Sequence, residues 1–423
     1  MRHVFWSLST VLTAAVIILS FACPAGARVK LAALPMREVV EIQLDNDAYT
    51  LVEEERIVPL LKSSPATGNN TIDFSWSNTR IDKNSIQFRP LAISTGGSFR
   101  PMKSITPGGG GEPVDEVNVV SVSYPPGENA LVWEVYAHEA CAVKVRVSYL
   151  IANLTRQFSY RALSDKDETR LLLKNFLEVR NYSGEDFGQA EVWAGFGDQF
   201  ERQVGQAQEI KMLIHRFGEV PIEKTFTFDW YTHGPLNQDK PFASKILMHF
   251  TLTNDEQHGM GLFPLQPGKV RIFIDDGRNG EAFLGEDWAS LTPLDEEMKL
   301  YLGEARDIVC TRTIEENVRH HIRGNLHNQE VVIKYEIENY KDTAVNLRIV
   351  EQMNRIGQEY FGNTHGDMEW EPGRTTSKDI TITYEQGHTM PVLLLEVPPH
   401  PKGSKGDVRK KTTRFHFTLK NLW

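Results

Sequence analysis

The densest group of chemistry-bearing residues in the chain is Asn363-Thr364-His365-Gly366-Asp367-Met368-Glu369, where a histidine, an aspartate and a glutamate recur two residues apart. On a strand that spacing sends His365, Asp367 and Glu369 to one face. One imidazole and two carboxylates on a face make half of a site for a hard or borderline metal ion. Gly362 and Gly366 also mark a loop, and the bland reading is a polar turn with its charges in water. His320-His321, with His327 nearby, is a second candidate for a transition metal. Adjacent strand residues face opposite ways, so the first two do not readily share an ion.

Other clusters read as turns. Asn254–Gly259 suits a hairpin loop, and Asp275-Asp276-Gly277-Arg278-Asn279-Gly280-Glu281 lacks the ligand spacing of a calcium loop. The carboxylate pairs Glu185-Asp186 and Glu286-Asp287 each follow a glycine. Glycosidases hold two such groups about 5–10 Å apart across a cleft, a separation that sequence does not establish. The run Gly108–Gly111 is not followed by the Lys-Ser/Thr of a phosphate loop, and neither Gly-x-Ser-x-Gly nor His-Glu-x-x-His occurs. No catalytic residue is assigned and no cofactor is implied. Four aromatic residues in loop-like stretches, Trp230, Tyr231, Phe361 and Trp370, are the candidates for touching a partner, each equally well read as core.

Strands must position these residues. REVVEIQLD alternates with Val40, Ile42 and Leu44 on one face, TIDFSWSN with Ile72, Phe74 and Trp76, and SIQFRPL with Ile86 and Phe88. In CAVKVRVSYLIANL the shared face is Val143, Val145, Val147 and Tyr149. Leu262–Gly303 reads as a meander of KVRIFI, EAFLG and MKLYLG, with Asp-Gly and Asn-Gly turns that want positive φ. Residues 200–216 are the helix candidate: Val204, Ala207, Ile210, Ile214 and Phe217 recur at spacings of three and four, and Gly218 supplies a stop. Phe415, Phe417 and Leu419 alternate toward Trp423 and suit a last strand of a sandwich better than one of a membrane barrel, whose outward face would be apolar. The expected fold is mainly β: two or more sandwich-like domains of antiparallel strands with one short helix.

Composition bounds the setting. Arg2 and His3 precede an apolar run, Val4–Ala22, and Ala25-Gly26-Ala27 offers a small-x-small cleavage site, so residues 1–27 read as a signal peptide. Cys23 sits in a poor lipidation context behind Phe21. Removing residues 1–27 deletes one charge, Arg2, and takes the net charge from −10 to −11, so the electrostatic footprint of a nucleic-acid binder is lacking. No later segment is long and apolar enough to cross a membrane. Cys141 and Cys310 either pair as a disulfide or stand as two buried thiols. The expected domains are residues 28–144, with a Gly-rich loop near 104–113, residues 145–396, and a basic linker with a terminal strand over 397–423.

Three segments, VSYLIANLTRQFSYRA with the following NYSGEDF turn, LFPLQPGKVRIFIDDGRNGEAFLGED and VVIKYEIENYKDTAVNLRIVEQM, carry a resemblance. Across residues ~145–395 the chain resembles bacterial proteins with the domain of unknown function 4139, some of them mucoidy inhibitor A-like. Phe187 stands where those proteins often have Trp. The resemblance implies an exported or envelope β-sandwich protein and transfers no catalytic residue. The expectation is a non-enzymatic structural or interaction module whose partner is an envelope protein or polymer. The alternative is a carbohydrate-binding or hydrolysing protein, dependent on metal at His365, Asp367 and Glu369.

Overall fold

The computed structural model describes residues 28–30, 37–45, 48–102, 117–230, 242–361, 369–384, 387–399 and 410–422. The chain forms two compact units, the first running to Arg156 and again over Arg180–Glu209, the second made of Gln157–Val179 and Ile210 onward. The Gly-rich stretch near 104–113 lies outside the described residues.

In the first unit the strands are β1 (Arg28–Lys30), β2 (Val39–Gln43), β3 (Thr50–Leu60), β4 (Asn70–Ser75), β5 (Ile81–Ser94), β6 (Arg100–Pro101), β7 (Val117–Ser123), β8 (Ala130–Ala137) and β9 (Cys141–Ile151). Two more, β10 (Leu154–Ser164) and β11 (Arg170–Asn181), run into the second unit, and β12 (Gly188–Trp193) and β13 (Phe200–Val204) return to the first. A four-stranded sheet, β1-β4-β8-β7, faces a seven-stranded one, β13-β12-β2-β3-β9-β5-β6. Rings from both sheets meet between them: Phe74 lies 5.6 Å from Tyr149 and Phe88 lies 5.0 Å from Trp133. The alternation of β9 explains its place. Val143, Val145, Val147 and Tyr149 are buried, while Lys144 and Arg146 point outward into ion pairs with Glu38, Glu41, Glu53 and Glu55. Each such valine contributes roughly 1.5–3 kcal/mol by leaving water.

The second unit adds β14 (Gln208–Pro221), β15 (Glu223–Asp229), β16 (Phe242–Thr253), β17 (Gly268–Asp275), β18 (Glu281–Ala289), β19 (Glu297–Arg323), β20 (Leu326–Asn339) and β21 (Val345–Val350). After a helix, α1 (Met353–Phe361), come β22 (Trp370–Pro372), β23 (Thr381–Tyr384), β24 (Pro391–Val397) and β25 (Lys411–Leu422). One sheet has the order β14-β11-β10-β17-β18 and the other β22-β25-β20-β19-β16-β15-β21-β24-β23. The nine-stranded sheet rolls until its edge strands meet, where Trp370 of β22 lies 6.3 Å from Tyr384 of β23 and its indole N–H donates to the His388 carbonyl at 2.7 Å. Met353 and Ile356 of α1 fill the interior beside Phe228, Tyr335 and Phe415. The protein is therefore mainly β, built of sandwich-like, mostly antiparallel sheets with, among the described residues, one short helix. Among the described strands, the pairings β1–β4, β2–β12, β10–β17 and β15–β21 are parallel.

Two sequence expectations need correction. Residues 200–216 are not helical; they form β13, a turn and the start of β14. Ile210 and Ile214 are four apart, a spacing that both periods satisfy. Met212 between them is also half-buried while Glu209, Lys211 and Leu213 are exposed, so the period is two. Ala207 at φ 53° closes the turn and ends any helix there. The meander also divides: β17 and β18 pair as expected, but MKLYLG opens β19 in the other sheet.

The last strand is an integral member, antiparallel to β20 from Lys411 to Leu422. Phe415, Phe417 and Leu419 are fully buried, the outward side is clipped by Arg414–Glu315 and Lys420–Glu371 pairs, and Lys411, on the inward phase at the start of the strand, pairs with Asp379. His416, also outward, is covered by Gly373, where any Cβ would overlap the imidazole ring. Its Nε2 lies 2.8 Å from Glu330, whose other oxygen contacts His320 Nε2 at 2.7 Å. The Arg414 guanidinium holds the Glu315 carboxyl below its usual range, and the His320 ring does the same for Glu330. At Asp379 burial opposes ionisation, but Lys411 and Thr413 outweigh it and the pKa is again lowered.

Carboxyls depressed in the folded state contribute stability above their unfolded values of about 4 and lose it as pH falls through the folded ones. Urea midpoints are expected to drop between pH 6 and pH 3, with a smaller drop for Glu315→Gln. In the core of the same sheet Arg312 and Glu351 are both fully buried, joined at 2.8 and 3.2 Å, with the Tyr335 hydroxyl donating to Glu351 at 2.6 Å. Glu351→Ala strands the guanidinium and is expected to cost about 3–5 kcal/mol by equilibrium denaturation, much of it recovered in Arg312→Met with Glu351→Leu.

Candidate functional site in the first unit

The inward phase of β3 is Thr50, Val52, Glu54, Arg56, Val58 and Leu60, an apolar stripe interrupted by one opposite-charge pair. Glu54 is 1 % exposed. Its Oε2 accepts from Arg56 Nη2 at 2.8 Å and Nε at 3.1 Å, and lies 2.8 Å from Arg37 Nε. Its Oε1 accepts from the Tyr149 hydroxyl at 2.8 Å. Two guanidiniums and a phenol thus satisfy one buried carboxylate, as burial of a charge requires.

The NYSGEDF turn forms the facing wall. Asn181, 1 % exposed, shapes it: its amide donates to the Glu185 and Gly205 carbonyls, and its oxygen accepts from the Ser183 hydroxyl at 2.7 Å. Gly184 holds φ +93°, where a Cβ would lie 2.6 Å from the Asn78 carbonyl oxygen. The turn delivers the Asp186 carbonyl to Arg37 Nη1 at 2.6 Å and the Glu185 carboxylate to Nη2 at 3.0 Å. Phe187 lies under the same guanidinium, 5.5 Å from ring centre to Cζ.

Around this network opens a cavity of about 630 Å³, within the range of small-molecule sites. Phe74, half-buried Trp76 and Phe187 supply aromatic surface, with Ser75, Gln203, Glu185 and Asp186 as polar groups. Burial works to lower the Arg37 guanidinium, but Glu54 and Glu185 outweigh it and hold the pKa above its ordinary value. Burial, reinforced by Glu54, pushes the Tyr149 phenol well up. Both groups keep their neutral-pH charge states, so the cavity presents fixed donors and acceptors.

The other candidates fall elsewhere. Trp230, 1 % exposed, lies beneath Arg312 at 5.0 Å, and Trp370, 5 % exposed, packs edge-on against Phe415 and Phe417. Both indoles are core, so neither offers surface to a partner. Tyr231, His365 and Asp367 lie outside the described residues, and Phe361 closes α1. Glu369 is exposed and accepts from Asn421 Nδ2 at 2.7 Å. Among the described residues no three His, Cys, Asp or Glu side chains are grouped as metal ligands. Cys310 is a free, fully buried thiol whose pKa burial drives far up, while Cys141 starts β9 in the first unit, half-buried.

Both aspartates of the Asp275-Asp276-Gly277 turn are taken up by backbone amides, at Gly277, Arg278 and Gly280. Buried Asn254 ties its loop to the carbonyls of Phe263, Thr292 and Pro293. Of the carboxylate pairs, Glu185-Asp186 reaches the cavity; Glu286 pairs with Lys269 and Arg271, and Asp287 accepts from the Tyr301 amide. Arg37, Glu54 and Arg56 were missed from sequence, although the phase of LVEEERIVPLL held a signal: Glu54 and Arg56 share parity with Val52 and Val58.

No model of a known protein family matches the chain, and no curated protein is similar to it. Among the described residues no helix is long and apolar enough to cross a membrane.

Glu54→Ala is expected to leave two guanidiniums without their shared carboxylate and to cost about 3–5 kcal/mol. Arg37→Ala, at a more exposed group that leaves the Arg56 pair in place, costs less. Equilibrium urea denaturation of the two variants reads this order.

Proposed function

We propose that the chain is an exported, non-catalytic binding module of the cell envelope, and that it takes a hydroxyl-rich polymer segment into the first-unit cavity. The observation carrying this reading is a cavity in which aromatic faces stand beside Gln203, Ser75, Glu185 and Asp186, with Arg37 and Arg56 held against the carboxylates of its wall and floor. Aromatic rings cover the apolar face of a sugar, while amide and carboxylate groups pair with its hydroxyls. The Glu54 and Glu185 carboxylates are engaged by arginines, an arrangement suited to holding geometry rather than to moving protons. Export rests on the sequence of residues 1–27, with its apolar run and Ala25-Gly26-Ala27. Kinship with the domain of unknown function 4139 proteins belongs to the same reading, and its NYSGEDF motif is the wall of the cavity.

Isothermal titration with soluble peptidoglycan fragments and with neutral glucan oligomers tests it. One of the two is expected to bind, with Trp76→Ala weakening affinity roughly tenfold, the loss of about one aromatic contact, at unchanged stability. Absence of binding to both, or an unaltered affinity in Trp76→Ala, overturns the reading.

A further inference from the structure

The four-stranded sheet of the first unit ends at β7, which pairs with β8 and with no other described strand. In that pairing Val119 lies opposite Val135 and Val122 opposite Trp133. Residues directly opposite in an antiparallel pair share a face, so both valines lie on the inward side. Yet Val135 and Trp133 are 0 % and 2 % exposed, whereas Val119 and Val122 are 37 % and 45 % exposed. Val117, opposite Ala137, is still buried at 2 %, but from Val119 on the core stops at β8 and the rest of β7 overhangs it as an apolar ledge. Val120, the bulged residue, and Tyr124 just beyond the strand are also exposed, at 56 % and 47 %.

An open strand edge invites another strand, and natural edges are commonly blunted by charge, by proline or by a bulge. Here only the bulge at Val120 is present: Val117–Tyr124 reads VNVVSVSY, with neither charge nor proline. On the other face Ser121 and Ser123 are neutral, and Glu134 behind them is held by Ser121 and Asn69. The chain as a whole carries a net charge of −10, so two copies repel one another over most surfaces. The strand itself brings no carboxylate, and the ammonium at its end, Lys83 Nζ, lies 6.0 Å from the Tyr124 ring, so this edge is where two acidic copies can approach without carboxylate repulsion.

We propose that β7 is the contact through which two copies of this chain pair, antiparallel and about a two-fold axis, into one continuous sheet. An axis perpendicular to the sheet keeps both ledges on the same side, so the valines of one copy extend the apolar row of the other. Centred at Val122, it sets that residue against its own copy and Ser121 against Ser123, all neutral pairs. A strand from a different protein would need no such self-complementarity.

Light scattering coupled to gel filtration of the purified protein is expected to give twice the chain mass. Val122→Lys places two ammonium groups face to face and is expected to return a monomer, with a far-ultraviolet circular dichroism spectrum unchanged at this exposed position. Val122→Cys, oxidised, is expected to give a covalent dimer through that residue. A monomeric wild type, a Val122→Lys protein that is folded and still dimeric, or an oxidised Val122→Cys protein with no crosslink through that residue each overturns the proposal.

Discussion

A carboxylate withdrawn from water must be met by opposite charge and hydrogen-bond donors, and each unit of this protein is arranged around one such glutamate. In the first, Glu54 is met by Arg37, Arg56 and Tyr149; in the second, Glu351 is met by Arg312 and Tyr335. The cost of leaving such a group unpaired is several kcal/mol, comparable with much of the net stability of a domain. Strand register follows from this requirement. A one-residue slip of β3 against β9 would send Glu54 and Arg56 to the outer face and bring Glu53 and Glu55 into the core without Tyr149 or Arg37. Apolar alternation alone tolerates sliding by two residues; the buried ion pair removes that freedom as well.

The same requirement shapes the cavity. Arg37 lies just before β2, yet its guanidinium binds β3 through Glu54 and the 182–187 turn through Glu185 and the Asp186 carbonyl. The wall of the cavity is thereby fixed to its floor. Asn181 and Gly184 hold the turn from behind, one by filling backbone carbonyls and the other by allowing close approach to Asn78. The cavity rests on strands and a tightly bonded turn, which suits recognition of a rigid ligand.

Much of the framework was legible in the sequence because period-two alternation is a direct statement of which side chains leave water. Val40, Ile42, Leu44, Ile72, Phe74, Val143, Val145, Val147, Phe415, Phe417 and Leu419 are all buried where alternation placed them. The alternation of residues 208–214 was masked because Ile210 and Ile214 satisfy a helical spacing equally well. The cavity itself was obscured for a different reason. Arg37, Glu54 and Glu185 are far apart in the chain, and charged residues read first as solvent-facing; only the parity of Glu54 with Val52 and Val58 hinted otherwise. Trp230 and Trp370 show the converse: in loop-like sequence they looked available, and long-range packing made them core.

By itself the sequence determined the β class, the faces of most strands and the turns at Asp275-Asp276-Gly277 and Asn181–Glu185, since alternation and turn chemistry are local. Tertiary structure alone decided which strands share a sheet, including the parallel pairings such as β10–β17 and the passage of β10, β11 and β14 between units. It alone decided which carboxylates are buried and which arginines meet them. The reason is physical: hydrophobic phase is a property of neighbours in sequence, whereas pairing of charges and closure of a cavity depend on residues that only the folded chain brings within 3 Å.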